Sequence, residues 1–296
     1  MRQRLAYASW WLVMGACFGA AYGIAGGGTP SAALVLGMTA ANTFLLVAAE
    51  QLLPRRADAN LLHDRQTVND VAHGVVFQFA GRPLAQGLVV IALAGAAQHG
   101  GVAAIWPREW PLLPQIALAT LAWSFFGYWY HRAQHGFDAL WWFHAVHHDT
   151  RQMHLLKSGR AHVGEEFLEY LLVPAPFILL GIGPEVMTWV ALWNVFQGNL
   201  AHANLDQRFP ASFHYWLPTV QNHYLHHAEE RRLQDSNFGS FPIWDRLFGT
   251  YNHPDSNPVS RVGIAGDPVP SGFLGQLAYP FRALVGRGEA VVERVG

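Results

Sequence analysis

The chain has 296 residues, a formal net charge of −1, and 51% hydrophobic against only 13% charged residues. Soluble domains carry about twice that charged share, so the composition argues against a soluble chain, and the near-zero charge removes the electrostatic case for nucleic acid. One cysteine, Cys17, excludes an internal disulfide and a thiolate cage, which leaves nitrogen and oxygen donors for any metal.

In chain order, residues 5–25 form an uncharged run of 21 residues, long enough to cross a bilayer. Gly26-Gly27-Gly28-Thr29-Pro30 breaks it, residues 31–49 form a second uncharged run, and Pro54-Arg55-Arg56 ends that one. The two read as a helical hairpin in the membrane. Met1-Arg2-Gln3-Arg4 and Met14-Gly15-Ala16-Cys17 carry a faint look of a cleaved leader, but the length of the run and the span that follows favour an anchor. Residues 71–97 are interrupted by Arg82 and Pro83, which predicts an oblique entry with an amphipathic first part and a kink near the proline. Residues 110–130 are the best central span. Residues 170–201 hold two apolar stretches split by Gly181-Ile182-Gly183-Pro184-Glu185, a second hairpin that is partly inserted. Arg2, Arg4, Arg55, Arg56, Arg65 and the arginines among the histidine segments share one side, with only Arg108 opposite. By the positive-inside rule that side is cytoplasmic.

The histidines carry the chemistry. His131 and His135 form HxxxH, His144, His147 and His148 form HxxHH, and His223, His226 and His227 repeat HxxHH. With 16 histidines in the chain, one HxxHH is expected by chance in about 1 of 20 such sequences and two in about 1 of 1000. Residues three and four apart share a helix face, and imidazole is a strong ligand for iron, zinc and copper. Three clusters suggest two metals side by side. His162 and His202 are candidates to complete the set; His154 and His214 lack a partner spacing and read as structural. Zinc sites close at four ligands, too few for this many imidazoles, whereas two neighbouring irons with open positions suit dioxygen activation. Zinc is the alternative metal, and with it a zinc-dependent membrane lipid hydrolase; a noncatalytic metal carrier would spread its histidines along the spans. Glu165 and Asp149 lie near the motifs as groups to orient the ligating rings, with Arg160 and Asn204 as further candidates. An alkyl substrate offers few polar handles, so an apolar pocket is expected, with Trp141, Trp142 and Phe143 as the leading lining residues.

His131-x3-His135, His144-xx-His147-His148 and His223-xx-His226-His227 resemble the fatty acid hydroxylase / sterol desaturase superfamily. Arg160-x-His162 with Glu165, and Asn237-Phe238-Gly239 leading to Trp244-Asp245-Arg246-Leu247-Phe248-Gly249-Thr250-Tyr251, are similar to flanking elements of that family. The resemblance covers roughly residues 115–252. It implies a membrane-bound di-iron oxygenase that hydroxylates or desaturates a lipid C–H bond with O2 and two electrons. Some members carry a fused haem carrier; here a separate ferredoxin, or a cytochrome with its reductase, is the expected donor. The expected fold is an all-α integral membrane protein: about four transmembrane helices, a second, partly inserted hairpin, and a cytosolic histidine-rich metal-binding cap. Its expected regions are N-terminal membrane helices over 1–110, a catalytic region over 111–252, and a tail over 253–296 with a membrane-surface helix. The expected location is the bacterial inner membrane with the histidine motifs facing the cytoplasm.

Overall fold

A computed structural model describes residues 2–98, 105–266 and 268–285. Among them there are helices and isolated bridges but no strand. The first rod runs through Arg2–Trp10, a π-helical turn Trp11–Ala16, and Cys17–Ile24. Gly26 and Gly27 then reverse the chain at φ of 61° and 72°, left-handed values that a side chain would oppose. The Ser31 hydroxyl accepts from Leu34 N and caps the Ala32–Leu52 helix. These two helices, over Arg4–Ile24 and Ala32–Leu52, are long and apolar enough to cross a membrane, and among the described residues no other helix meets both criteria.

The first rod faces inward. Trp10, Val13, Met14, Cys17 and Ala21 are buried against the core, and Asn42 of its partner donates to the Val13 carbonyl. The second exposes Leu36, Phe44 and Leu52. Its one buried carboxylate, Glu50, accepts from Leu155 N at 2.8 Å and Asn204 N at 2.7 Å, tying this helix to the two loops that flank the histidine motifs.

Residues 67–98 continue without a break through Thr67–Val76, a π-helical turn Phe77–Gly81, and Arg82–Gln98. Proline lacks the N–H for the normal ladder and crowds the preceding turn, and the widened turn just before Pro83 accommodates both defects. Val68, Val71, Val75, Phe79, Leu84, Leu88 and Ile91 are exposed along this helix, so it keeps an apolar outer face although it breaks the simple pattern of a span.

The 110–130 stretch lies within the Leu112–Gly136 helix, which has a spanning length but spends its inner face on the core. Gln115, Thr120, Ser124 and Gln134 are buried there beside Ile116, Ala119 and Tyr128. It packs on Pro184–His202, whose Trp189, Val190, Leu192, Phe196 and Leu200 are fully enclosed. The expected second hairpin is built from Val163–Leu172, the short Ala175–Leu179 and Pro184–His202. The tail helix Phe273–Val285 lies on Asp138–His148 and on Thr67–Val76, where Gln276 meets His73 at 2.9 Å. Its Leu274, Phe281 and Val285 are exposed.

Candidate metal centre

Nine histidines converge from the C-terminal ends of four helices. His131 and His135 sit at the end of Leu112–Gly136, and His144, His147 and His148 at the end of Asp138–His148. His202 closes Pro184–His202; His223 and His226 close Val220–His226, with His227 as its C-cap. A helix C-terminus carries about half a negative elementary charge, so four such ends favour a cation between them.

The nine form two groups. His131, His135, His144, His148 and His226 make the first; His147, His202, His223 and His227 make the second, and within each the ligand atoms lie within 4.8 Å of one another. Each HxxHH motif therefore serves both groups. His144 and His148, four apart on one face, go to the first, and His147 goes to the second; His223 and His227 go to the second, and His226 to the first. Neighbouring residues diverge by about 100° around a helix, which is why the adjacent pair divides between two sites. The groups lie against each other, with the rings of His148 and His227 stacked at 4.5 Å.

The outer ring nitrogens are anchored. Nδ1–H donates to the carbonyl of Phe238 from His131 (2.8 Å), of Arg160 from His147 (2.9 Å), of Gly198 from His202 (2.8 Å) and of Ser236 from His226 (2.8 Å). His144 Nδ1 meets the Glu165 carboxylate at 2.5 Å, and His135 Nδ1 meets Asp235 at 3.0 Å. Carbonyls can only accept, so these rings hold their proton on Nδ1 and present a bare Nε2 lone pair. The Nε2 atoms of His147 and His202 then face each other at 3.2 Å with no hydrogen between them, and His226 Nε2 is buried without a partner. Burial pushes His131 and His144 down to about 3 and His202 to about 4, so they are neutral. Neutral facing lone pairs are satisfied by a metal cation and by little else, so the donor set fits one in each group.

Behind the rings stands a clamp. Asn237, at φ 54°, lies between the two residues whose carbonyls hold His226 and His131. Asp245 accepts from Phe238 N and Gly239 N at 2.8 Å and from the Thr250 hydroxyl at 2.7 Å. A Cβ on Gly239 would come within 2.7 Å of the Phe241 carbonyl, so only glycine fits the turn. The Asn237-Phe238-Gly239 and Trp244–Tyr251 segments therefore serve the centre through their backbone. Sequence reading does not supply such carbonyl anchors, because every residue has one; the signal was the pair of motifs itself.

Arg160 is fully buried, donating to the Val146 carbonyl, Asp70 and Asp149, while its own carbonyl holds His147. Asp64, Asp70 and His154 also cluster, but Lys157 Nζ sits 2.6 Å from Asp64 and 2.8 Å from Asp70, so an ammonium already fills that position.

Three expectations are corrected by the geometry. His162 joins neither group: its Nδ1 accepts from Gly164 N and its Nε2 donates to the Leu277 carbonyl, making it the N-cap of Val163–Leu172. Asn204 makes no hydrogen bond to a clustered ring; it holds Arg56 and Ala59 in the loop after Ala32–Leu52. Trp141, Trp142 and Phe143 do not line the cavity that reaches the histidines. Trp141 packs on His135 and His148 at 5.1 and 5.5 Å and seals the opposite side, while Trp142 and Phe143 contact Tyr279 and Phe281 of the tail helix. The reason is helical phase: residues 141–143 span about 200° of the helix, and the histidine face takes the side toward the cavity.

The cavity has a volume of about 300 Å³ and touches both groups, at His131 and His144 and at His147, His202 and His223. Its surface is more apolar than polar, with Trp123 and Gly127 on one edge and a polar stretch that includes Glu165, Glu166 and Glu169.

The described residues thus combine an all-helical fold, two helices long and apolar enough to cross a membrane, and paired imidazole groups able to hold metal ions beside a cavity. Residues 116–250 match the family model described as fatty acid hydroxylase. The chain is 32% identical over 227 residues to ornithine lipid hydroxylase OlsE of Rhizobium tropici, covering 74% of this chain and 67% of that one. It is 28% identical over 136 residues to alkylglycerol monooxygenase of Xenopus tropicalis, covering 45% and 30%. It is 29% identical over 166 residues to fatty acid hydroxylase vlmA of a Lecanicillium species, covering 49% and 44%. The chain belongs to the fatty acid hydroxylase superfamily and is an oxygen-dependent oxidoreductase. No solved structure gives a significant match.

Proposed function

We infer that the two histidine groups hold two iron ions and that the chain hydroxylates a C–H bond of a membrane lipid. The observation that carries this reading is the pair of imidazole groups, five and four, whose ring nitrogens converge at the end of one cavity. The overall reaction converts R–H, O2, two electrons and two protons into R–OH and water. Bound iron supplies the activation of dioxygen, and the protein supplies geometry and exclusion of water. Four backbone carbonyls, Glu165 and Asp235 fix the rings by holding their outer protons. Trp141 and Phe238 pack against the first group and shield it from solvent. The substrate enters from the cavity side, between Leu112–Gly136, Val163–Leu172 and Pro184–His202.

The names of the matched relatives support a lipid substrate. The arginine distribution supports a cytoplasmic face for the site in a bacterial inner membrane, where a soluble ferredoxin or a cytochrome with its reductase can deliver electrons. Zinc is disfavoured by a five-imidazole group, one more than zinc usually takes. The test is metal content per polypeptide in detergent-purified protein, with Mössbauer spectra of iron-57 material. Two coupled irons per chain, with gain of one oxygen atom by a lipid under reductant and O2, is the expected result. A single zinc and no iron after growth in iron-rich medium would replace this reading with the zinc-dependent lipid hydrolase.

A further inference from the structure

We propose that the cavity beside the histidine groups binds an ammonium-bearing lipid headgroup, held by Glu166 and Glu169. The inference rests on the oxygenase reading for what happens to that headgroup, but its binding chemistry is independent of it.

An enzyme that positions a bare alkyl chain needs an apolar slot. This cavity is apolar over most of its surface, but one stretch of its wall is a cluster of polar acceptors that a bare alkyl slot does not need. One helix, Val163–Leu172, places Glu165, Glu166 and Glu169 in its wall. Glu165 is committed: one oxygen accepts from His144 and from Gln134. The carboxylates of Glu166 and Glu169, three apart on one face, have no hydrogen-bond or ion-pair partner among the described residues. Three carboxylates within one helical turn repel one another, and a positive group joining them removes that repulsion.

The facing walls point the same way. Gln197 and Asn222 line the cavity, are 5% and 6% exposed, and each carries a side-chain oxygen without a partner. Glu165 likewise keeps its second oxygen unpartnered at 5% exposure. Asn222 has already donated its amide hydrogens to the His214 and Leu217 carbonyls, so its oxygen is what it has left to offer. Every unsatisfied group in this wall is therefore an acceptor. Buried acceptors are costly unless met by donors, and an –NH3+ group offers three donors and a charge. A hydrocarbon segment would satisfy none of them. With the headgroup held here, the C–H bond presented to the metal groups lies in or next to the headgroup rather than far along an acyl chain.

The experiment compares two synthetic amphiphiles with detergent-purified protein by calorimetric titration. One is N-dodecanoyl-1,4-diaminobutane, which ends in an ammonium; the other is N-dodecanoyl-pentylamine, with a methyl in its place. The wild-type protein should bind the ammonium probe at least about tenfold more tightly. The double variant Glu166→Gln/Glu169→Gln should lose that preference and keep its affinity for the methyl probe. Equal affinity of the wild type for both probes would overturn the proposal without reference to any variant, as would a preference that survives the double substitution. Metal content measured on the same samples separates this proposal from the oxygenase reading. Two irons with no probe discrimination would sink the headgroup site alone, whereas discrimination in a chain that takes up no iron would sink the oxygenase reading alone.

Discussion

Replacing Glu165 by alanine should weaken metal binding in one group and spare the other. His144 is 3% exposed, and its Nδ1–H has the Glu165 carboxylate as its acceptor at 2.5 Å. Gln134 donates to the same oxygen at 2.9 Å. Alanine removes a charge-assisted bond and leaves a buried imidazole N–H without a partner, a cost of about 1.5–3 kcal/mol. That energy corresponds to about 10- to 100-fold weaker metal binding, the range usual for loss of a group that orients a ligating histidine. The rings of the second group keep their own anchors, since His147 and His202 are held by the Arg160 and Gly198 carbonyls. The assay is a chelator titration followed by metal quantification per chain. Wild-type protein should release its two metals over one range of chelator, and Glu165→Ala should release the first at a chelator concentration lower by that factor. Two metals retained at wild-type chelator concentrations would refute the reasoning, and so would simultaneous loss of both.

His162→Ala should leave metal content unchanged and lower stability by about 1–2 kcal/mol, the cost of a lost helix cap, read as a fall in thermal midpoint beside a normal metal count; loss of metal would return His162 to the ligand set. Lys157→Met should destabilise by about 3–5 kcal/mol, because Asp64 and Asp70 would share a buried pocket without their cation; an unchanged denaturation midpoint would refute the ion-pair reading of that cluster. The metal-free protein should lose thermal stability as pH falls below about 6.5, the ordinary histidine value. Unfolded imidazoles take up protons there, whereas folded His131, His144 and His202 resist until about 3, 3 and 4. The unfolded state then binds more protons, so stability rises with pH across that window and declines on acidification. A flat melting temperature from pH 7 to 5 would contradict it.

The sequence by itself determined the three histidine motifs, the two membrane-length helices and the family. These are local properties: an uncharged 21-residue run and the turn that ends it are set by neighbours in the chain, and HxxHH needs only helical geometry to gather imidazoles on one face. Tertiary structure decided how the ligands are divided. Spacing sends His147 and His148 to different sides of their helix, but which partners complete each group depends on where Pro184–His202 and Val220–His226 deliver His202 and His223. It also decided which polar groups reach the rings. His162 and His202 looked equivalent in the sequence, yet one caps a helix and the other joins the second group. Trp141 was expected to line the cavity yet seals the centre, because which side of a helix meets the cavity is fixed by packing against neighbours far away in the chain.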